Sequence, residues 1–300
     1  MSRKNGVERK RGNRLGFWFF RTAANVFGLR GAYGLLYFVG LHYLFFDRAV
    51  TAASAAYVRR RFPDHGALRR WLDVYRLFVS QGKNLIDRYA IASGFGDIDI
   101  KIKTSDTVRR LLDDRGKGFI LLTAHVGNWQ VAMTALKKWG RTVSLMMRPE
   151  DNVAVHESLQ IDREGERVKI IHTDDSLGGV IEAMRSLDSG GLVSIMGDRT
   201  YGYSAAEAPF LGGKVRFPHG AFSIAAAARC PVVVLLSARV GLKKYLVDVS
   251  HVIDAPAGGS ARKDTAMRSA VEEFARILEE YVTAYPYQWF VFRDMWKSNE

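Results

Sequence analysis

His125 closes the apolar run Gly118-Phe119-Ile120-Leu121-Leu122-Thr123-Ala124 and opens the stretch His125-Val126-Gly127-Asn128-Trp129-Gln130. A continuous apolar run that starts at a glycine reads as a buried parallel strand, and the residues after the histidine begin a helix. His125 therefore falls where open α/β sheets place their chemistry. An imidazole titrates near neutrality and can take a proton from a hydroxyl. Asn128 is a good N-cap ahead of Trp129-Gln130-Val131-Ala132-Met133, so the N–H groups of a helix start would lie beside the base and favour developing negative charge. The competing reading of His125 is a capping or core histidine.

Other blocks follow in order. Arg148-Pro149 comes after the apolar run Val143-Ser144-Leu145-Met146-Met147, and Met196-Gly197-Asp198-Arg199 after Gly191-Leu192-Val193-Ser194-Ile195. Phe217-Pro218-His219-Gly220-Ala221 precedes Cys230-Pro231-Val232-Val233-Val234, and the chain closes on Tyr285-Pro286-Tyr287-Gln288-Trp289-Phe290 and Met295-Trp296-Lys297. These blocks, over roughly residues 100 to 297, resemble the lysophospholipid acyltransferase superfamily, in particular the late acyltransferases of lipid A biosynthesis. The motif of that family is a histidine, four residues, then an acid. The resemblance implies transfer of a fatty acyl group from an acyl carrier protein or coenzyme A thioester to a hydroxyl, or as second choice an amine, of a lipid or glycolipid acceptor. His125 would deprotonate the acceptor, and no metal or other cofactor is required. Asn128 and Trp129 within the motif, and Phe217 and Gly220 in the later block, would contact substrate.

Gln130 departs from that pattern, because it stands where the family has Glu or Asp. A carboxylate orients an imidazole and stabilises its cation, whereas Gln130 can only accept from the ring N–H through its side-chain oxygen. Three readings stay open. The dyad works in weakened form, another acid such as Asp198 is recruited, or the chain is a catalytically silent lipid-binding or assembly protein that keeps the fold. Arg148 and Arg199 each follow a strand and could clamp phosphates of a pantetheine donor or a lipid acceptor. The alternative for each is a surface arginine paired with a carboxylate.

The formal charge of +13 is unevenly placed. Residues 1 to 95 hold 17 Lys and Arg against 5 Asp and Glu, so nearly all of the excess lies there. The same third carries Phe17-Trp18-Phe19-Phe20 and an apolar run from Gly31 to Phe46. Aromatic rings interleaved with cations suit a helix lying on an anionic bilayer. The run of 16 residues is short of the roughly 20 that span, so an interfacial or re-entrant helix anchored through residues 15 to 46 is expected; the resemblance implies the cytoplasmic face of an inner membrane, where acyl donors are found. A signal peptide ending near Ala53-Ser54-Ala55 is the competing reading. No nucleic-acid recognition motif accompanies the basic segment, so nucleic acid is disfavoured.

The rest of the sequence excludes several classes. A single cysteine, Cys230, rules out an internal disulfide framework. His156, His172 and His251 lack metal-ligand spacing, no phosphate-loop or dinucleotide glycine pattern follows a strand, and there is no G-x-S-x-G. Apolar residues at helical spacing predict a helix over 67–92 that packs on the sheet. Strand-like runs at 118–124, 142–147, 168–172, 191–196, 231–238 and 245–250 alternate with helical stretches near 104–115, 128–139, 176–189, 218–229 and 262–284. This alternation predicts an α/β fold with a mainly parallel central sheet and helices on both faces. A membrane-associating helical region, 1–95, would precede an acyltransferase domain, 96–300.

Overall fold

The computed structural model describes residues 14–92, 98–136, 139–147, 168–173, 178–200, 204–255 and 260–297. Three helices come first: α1 (Arg14–Phe46), α2 (Arg48–Arg61) and α3 (Ala67–Ala92). Then follow β1 (Asp99–Thr104), α4 (Asp106–Asp113), β2 (Phe119–Thr123), α5 (Trp129–Leu136), β3 (Val143–Met147), β4 (Val168–His172), α6 (Gly178–Asp188) and β5 (Leu192–Met196). The last elements are β6 (Ala205–Phe210), β7 (Gly213–Pro218), α7 (Gly220–Ala228), β8 (Val232–Gly241), β9 (Lys244–Ile253) and α8 (Ser260–Ala284).

Strand side chains alternate between two apolar layers, as a period of two requires. Ile120, Leu122, Val193, Val232 and Val234 enter one core with Phe222, Val271, Phe274 and Leu278 of α7 and α8. Phe119, Leu121, Leu192 and Val233 enter the other with Val108 of α4 and Ala132 and Leu136 of α5. All five residues of β2 are buried, because both faces of this central strand are covered.

The sheet order is β1-β9-β8-β2-β5-β3-β4. Pairing is parallel throughout except between β8 and β9, which form an antiparallel hairpin across Gly241 to Lys244. The expected parallel sheet with helices on both faces is therefore present. Two features lie outside the sequence expectation: the edge strand β1, whose residues show no buried run, and the direction of the long β9, which is antiparallel to β8 and parallel to β1. Leu211 and Gly212 turn a separate β6–β7 hairpin.

The helix over 67–92 forms as expected but packs mainly on α1 and α2 rather than on the sheet, with Val74 and Leu77 reaching the main core. Gly40 of α1 lets the helices close up, since a Cβ there would come 3.0 Å from Val79 Cγ2. The anchoring run belongs to a longer helix that breaks at Gly28, whose φ of 65° a glycine accepts readily. Among the described residues no helix is long and apolar enough to cross a membrane. The segment that resembles a signal-peptide cleavage site lies inside α2, where Ser54 and Ala56 are buried. There Tyr57 donates to the Pro286 carbonyl at 2.7 Å and meets the Trp289 ring edge to face, so α2 is built into the domain that follows.

Candidate active site

Neighbouring parallel strands end at the same edge of a sheet, and β2 and β5 are neighbours. Two residues beyond the end of each, His125 and Asp198 meet. The His125 Nδ1 to Asp198 Oδ1 distance is 2.7 Å, and the His125 backbone N–H donates to Oδ2 at 2.9 Å. The Trp289 indole N–H donates to the same Oδ2 at 3.0 Å. Asp198 and Trp289 are buried, while the His125 side chain keeps 21% of its surface exposed.

These contacts fix a protonation state. Burial by itself would push the Asp198 carboxyl up; the charge of the His125 ring, its hydrogen bonds and the Arg199 guanidinium more than reverse this and hold it well below the usual carboxylate range. An ionised carboxylate only accepts hydrogen bonds, so the neutral ring carries its proton on Nδ1. Nε2 is then left with a lone pair on the more exposed side of the imidazole, as a general base needs.

The loop that carries His125 is locked from three sides. Gly127 has φ of 48°, and a Cβ on it would lie 1.8 Å from the Ser237 carbonyl oxygen, so only glycine fits. The closing segment runs antiparallel alongside, with Gly127 N–H donating to the Gln288 carbonyl at 2.8 Å and Phe290 N–H to that of His125 at 2.8 Å. From α3, the Asn84 amide donates to the Gly127 carbonyl. Asn128 caps α5 as expected, accepting from Val131 N–H at 3.4 Å, and its amide N–H donates to the Asn84 carbonyl at 3.2 Å.

The backbone N–H groups of 125 to 128 are spent within the protein, on Asp198 Oδ2, the Ala124 carbonyl, the Gln288 carbonyl and Ser237 Oγ respectively. None of these four donors is free for a developing oxyanion. Asn128 is buried with its side chain committed to the cap and to α3. Trp129 is half-buried against the apolar layer on the α4–α5 face. Phe217 is fully buried between Phe210 and Phe274, so it is framework beneath the site, and Gly220 is exposed at the start of α7. Arg199 donates to the Phe290 carbonyl at 2.9 Å, which ties the strand end to the closing segment.

Gln130 is the second residue of α5, and its side chain lies outside the described residues, as does the whole of Arg148. Two participants were given no role by the sequence: Trp289, which lies in the closing block and holds Asp198, and Asn84, which holds the loop. Neither of the two best-formed cavities is lined by His125 or Asp198. Among the described residues no group of three or more His, Cys, Asp or Glu side chains could hold a metal ion.

A histidine–carboxylate pair at the carboxyl ends of adjacent parallel strands is an arrangement in which an oriented imidazole can take a proton from a hydroxyl. Residues 88–298 match the bacterial lipid A biosynthesis acyltransferase family, and the chain belongs to that family. It is an acyltransferase that acts on lipids. Comparison with curated proteins gives no match. Among solved structures, the crystal structure of the 1-acyl-sn-glycerophosphate (LPA) acyltransferase PlsC from Thermotoga maritima matches at 14% identity, covering 84% of this chain and 98% of that one, with a TM-score of 0.42.

Proposed function

We propose that the chain moves a fatty acyl group from an acyl carrier protein or coenzyme A thioester to a hydroxyl of a lipid or glycolipid, lipid A or a related envelope lipid, with His125 as general base and Asp198 as the acid that orients it. The supporting observation is the 2.7 Å contact between His125 Nδ1 and a buried carboxylate held ionised. Nε2 takes the proton of the acceptor hydroxyl as its oxygen attacks the thioester carbonyl. The tetrahedral oxyanion collapses, the C–S bond breaks, and the leaving thiolate takes the proton from the imidazolium. Asp198 stays ionised throughout and stabilises the transient cation. In this reading Gln130 is not the partner of the ring, and an amine acceptor is the second choice.

The same proposal places residues 1–95 against the cytoplasmic face of an inner membrane and the chemistry in 96–300. Among the described residues, nine of the twelve exposed large apolar side chains, Phe27, Phe38, Phe46 and Leu68 among them, belong to α1 and α3, in the third of the chain that carries the basic excess. Such a surface joins apolar insertion to attraction for anionic head groups. Flotation with anionic vesicles should retain the chain and weaken with salt, and salt- and carbonate-resistant retention would instead require a spanning segment.

The chemical test is His125→Ala, assayed for transfer from acyl carrier protein and coenzyme A thioesters to a membrane lipid extract. Activity should fall at least about a hundredfold, the lower end for general-base catalysis, with the thermal midpoint retained. Near-normal turnover would overturn the mechanism.

A further inference from the structure

A second feature lies on the other side of the Gln288 strand, where α1, α3 and residues 284 to 288 enclose a groove of about 590 Å³. This is within the range of about 300–1,000 Å³ usual for ligand sites. Three cations line it, Arg76, Lys83 and Arg239, and no carboxylate does. Lys83 Nζ stands 5.5 Å from the Tyr33 ring centroid and 5.1 Å from that of Tyr37, and donates to the Tyr37 hydroxyl at 3.2 Å. The Arg239 guanidinium lies 5.9 Å from the same Tyr33 centroid.

Two positive groups thus converge on one ring. Among the described residues neither has a carboxylate within ion-pair distance, and the Arg239 Nε is buried without a hydrogen-bond partner. Arg239 cannot swing away with its backbone, because the Gln288 side chain clamps both its N–H and its carbonyl, at 2.8 and 2.9 Å. Two cations held beside one ring, one of them with an unmet donor, favour an anion in the groove; Asp87, which accepts from the Tyr33 hydroxyl, does not line it. The wall beside them is apolar, formed by Leu72, Val79 and the ring of Tyr75. Of the groove's lining residues, Tyr37 and Leu72 are exposed, and Phe38 and Leu68 on the same two helices are more exposed still.

We infer that this groove binds the phosphodiester head group of one anionic glycerophospholipid, with the phosphate between Lys83 and Arg239 and the acyl chains leaving past Leu72 along the exposed face of α1 and α3. The site shares no residue with the His125–Asp198–Trp289 set. Choosing a lipid over a soluble phosphate rests on the proposed membrane-facing role of the N-terminal helices; counting bound lipids in micelles reads the groove without any bilayer.

Native mass spectrometry of the full chain in detergent, titrated separately with phosphatidylglycerol, phosphatidylcholine and glycerol 3-phosphate, tests this. One phosphatidylglycerol per chain should be retained in preference to phosphatidylcholine. Its dissociation constant should rise about tenfold in Lys83→Gln/Arg239→Gln, as for loss of about 1.4 kcal/mol. The exposed pair Lys101→Gln/Lys169→Gln removes the same charge elsewhere and should bind normally. Should the first double variant fail to fold, Leu72→Glu on the exposed part of the lining should repel the phosphate to a similar degree. Equal loss in the control pair, or no preference over phosphatidylcholine, would mean diffuse surface attraction and overturn the site. Glycerol 3-phosphate binding as tightly as the lipid would overturn the lipid assignment. His125→Ala should bind the lipid as the parent chain does, so a failure of the chemistry and a failure of this site are read separately.

Discussion

Asp198 at the sheet edge and Asp87 at the seam between α1, α3 and β9 are both fully buried carboxylates, yet they are driven in opposite directions. Asp198 accepts from an imidazole, a backbone N–H and an indole N–H beside Arg199, and it is held well below the usual range. Asp87 accepts from the hydroxyls of Tyr33 and Tyr245, with Lys83 and Arg239 farther off, and burial wins: its carboxyl is pushed up. Burial alone therefore does not set the charge of a carboxylate. What decides is whether a donor in direct contact can carry positive charge, as an imidazole can and a tyrosine hydroxyl cannot.

The largest break in this comparison should come from Asp198→Asn. It removes the charge behind the imidazole and unsettles its tautomer, for which a serine-protease triad loses about four powers of ten in rate. Asp87→Asn should leave kcat near the parent value, because an amide oxygen can still accept from a tyrosine. A similar fall in both variants, at equal thermal stability, would erase the distinction.

The two carboxylates also predict opposite pH dependence. The depressed Asp198 contributes stability that is present above the ordinary carboxylate pKa and is lost as pH falls towards its folded value. The raised Asp87 prefers the protonated state, so its contribution is greatest in acid and is lost as pH rises through its folded value. Urea denaturation should therefore show the parent gaining over Asp87→Asn as the solution is acidified from pH 7 towards the ordinary carboxylate pKa of about 4, and losing its advantage over Asp198→Asn only below it, down to about pH 2. Parallel slopes would mean that the donors do not matter.

Trp289→Phe sharpens the comparison further, since it keeps a ring against Tyr57 and Phe210 but deletes one donor to Asp198. A hydrogen bond to a charged group is worth about 1.5–3 kcal/mol, so kcat should drop roughly tenfold or somewhat more, with the pH–rate profile altered. Asn84→Ala tests the link between seam and site. It removes the donor to Gly127 and should cost about 1–3 kcal/mol of stability, read as a lowered thermal midpoint. The smallest effect is expected at Gln130→Ala, within about twofold in rate as for substitutions away from a working contact. A loss there as large as that of Asp198→Asn would return the orienting role to Gln130.

Much of this arrangement is legible along the chain. The strand ending at His125, the cap at Asn128 and the alternation of strands with helices follow from local rules, because burial on both sides writes continuous apolar runs and a helix start calls for a short polar side chain. The basic-aromatic N-terminal third is equally plain from composition. The partner of His125 is legible only as one of three open readings, since Asp198 stands 73 residues away and reaches the ring because β2 and β5 are sheet neighbours. Strand order is a property of the whole sheet, and no local pattern records it. The same holds for Trp289, 91 residues beyond Asp198, and for Asn84, brought in by the packing of α3. The sequence by itself determined which residue could serve as the base and what kind of scaffold would carry it. Only the tertiary structure decided which carboxylate holds that base, which backbone donors are already spent, and that two cations converge on one tyrosine, because each depends on contacts between segments whose distance along the chain has no bearing on their distance in space.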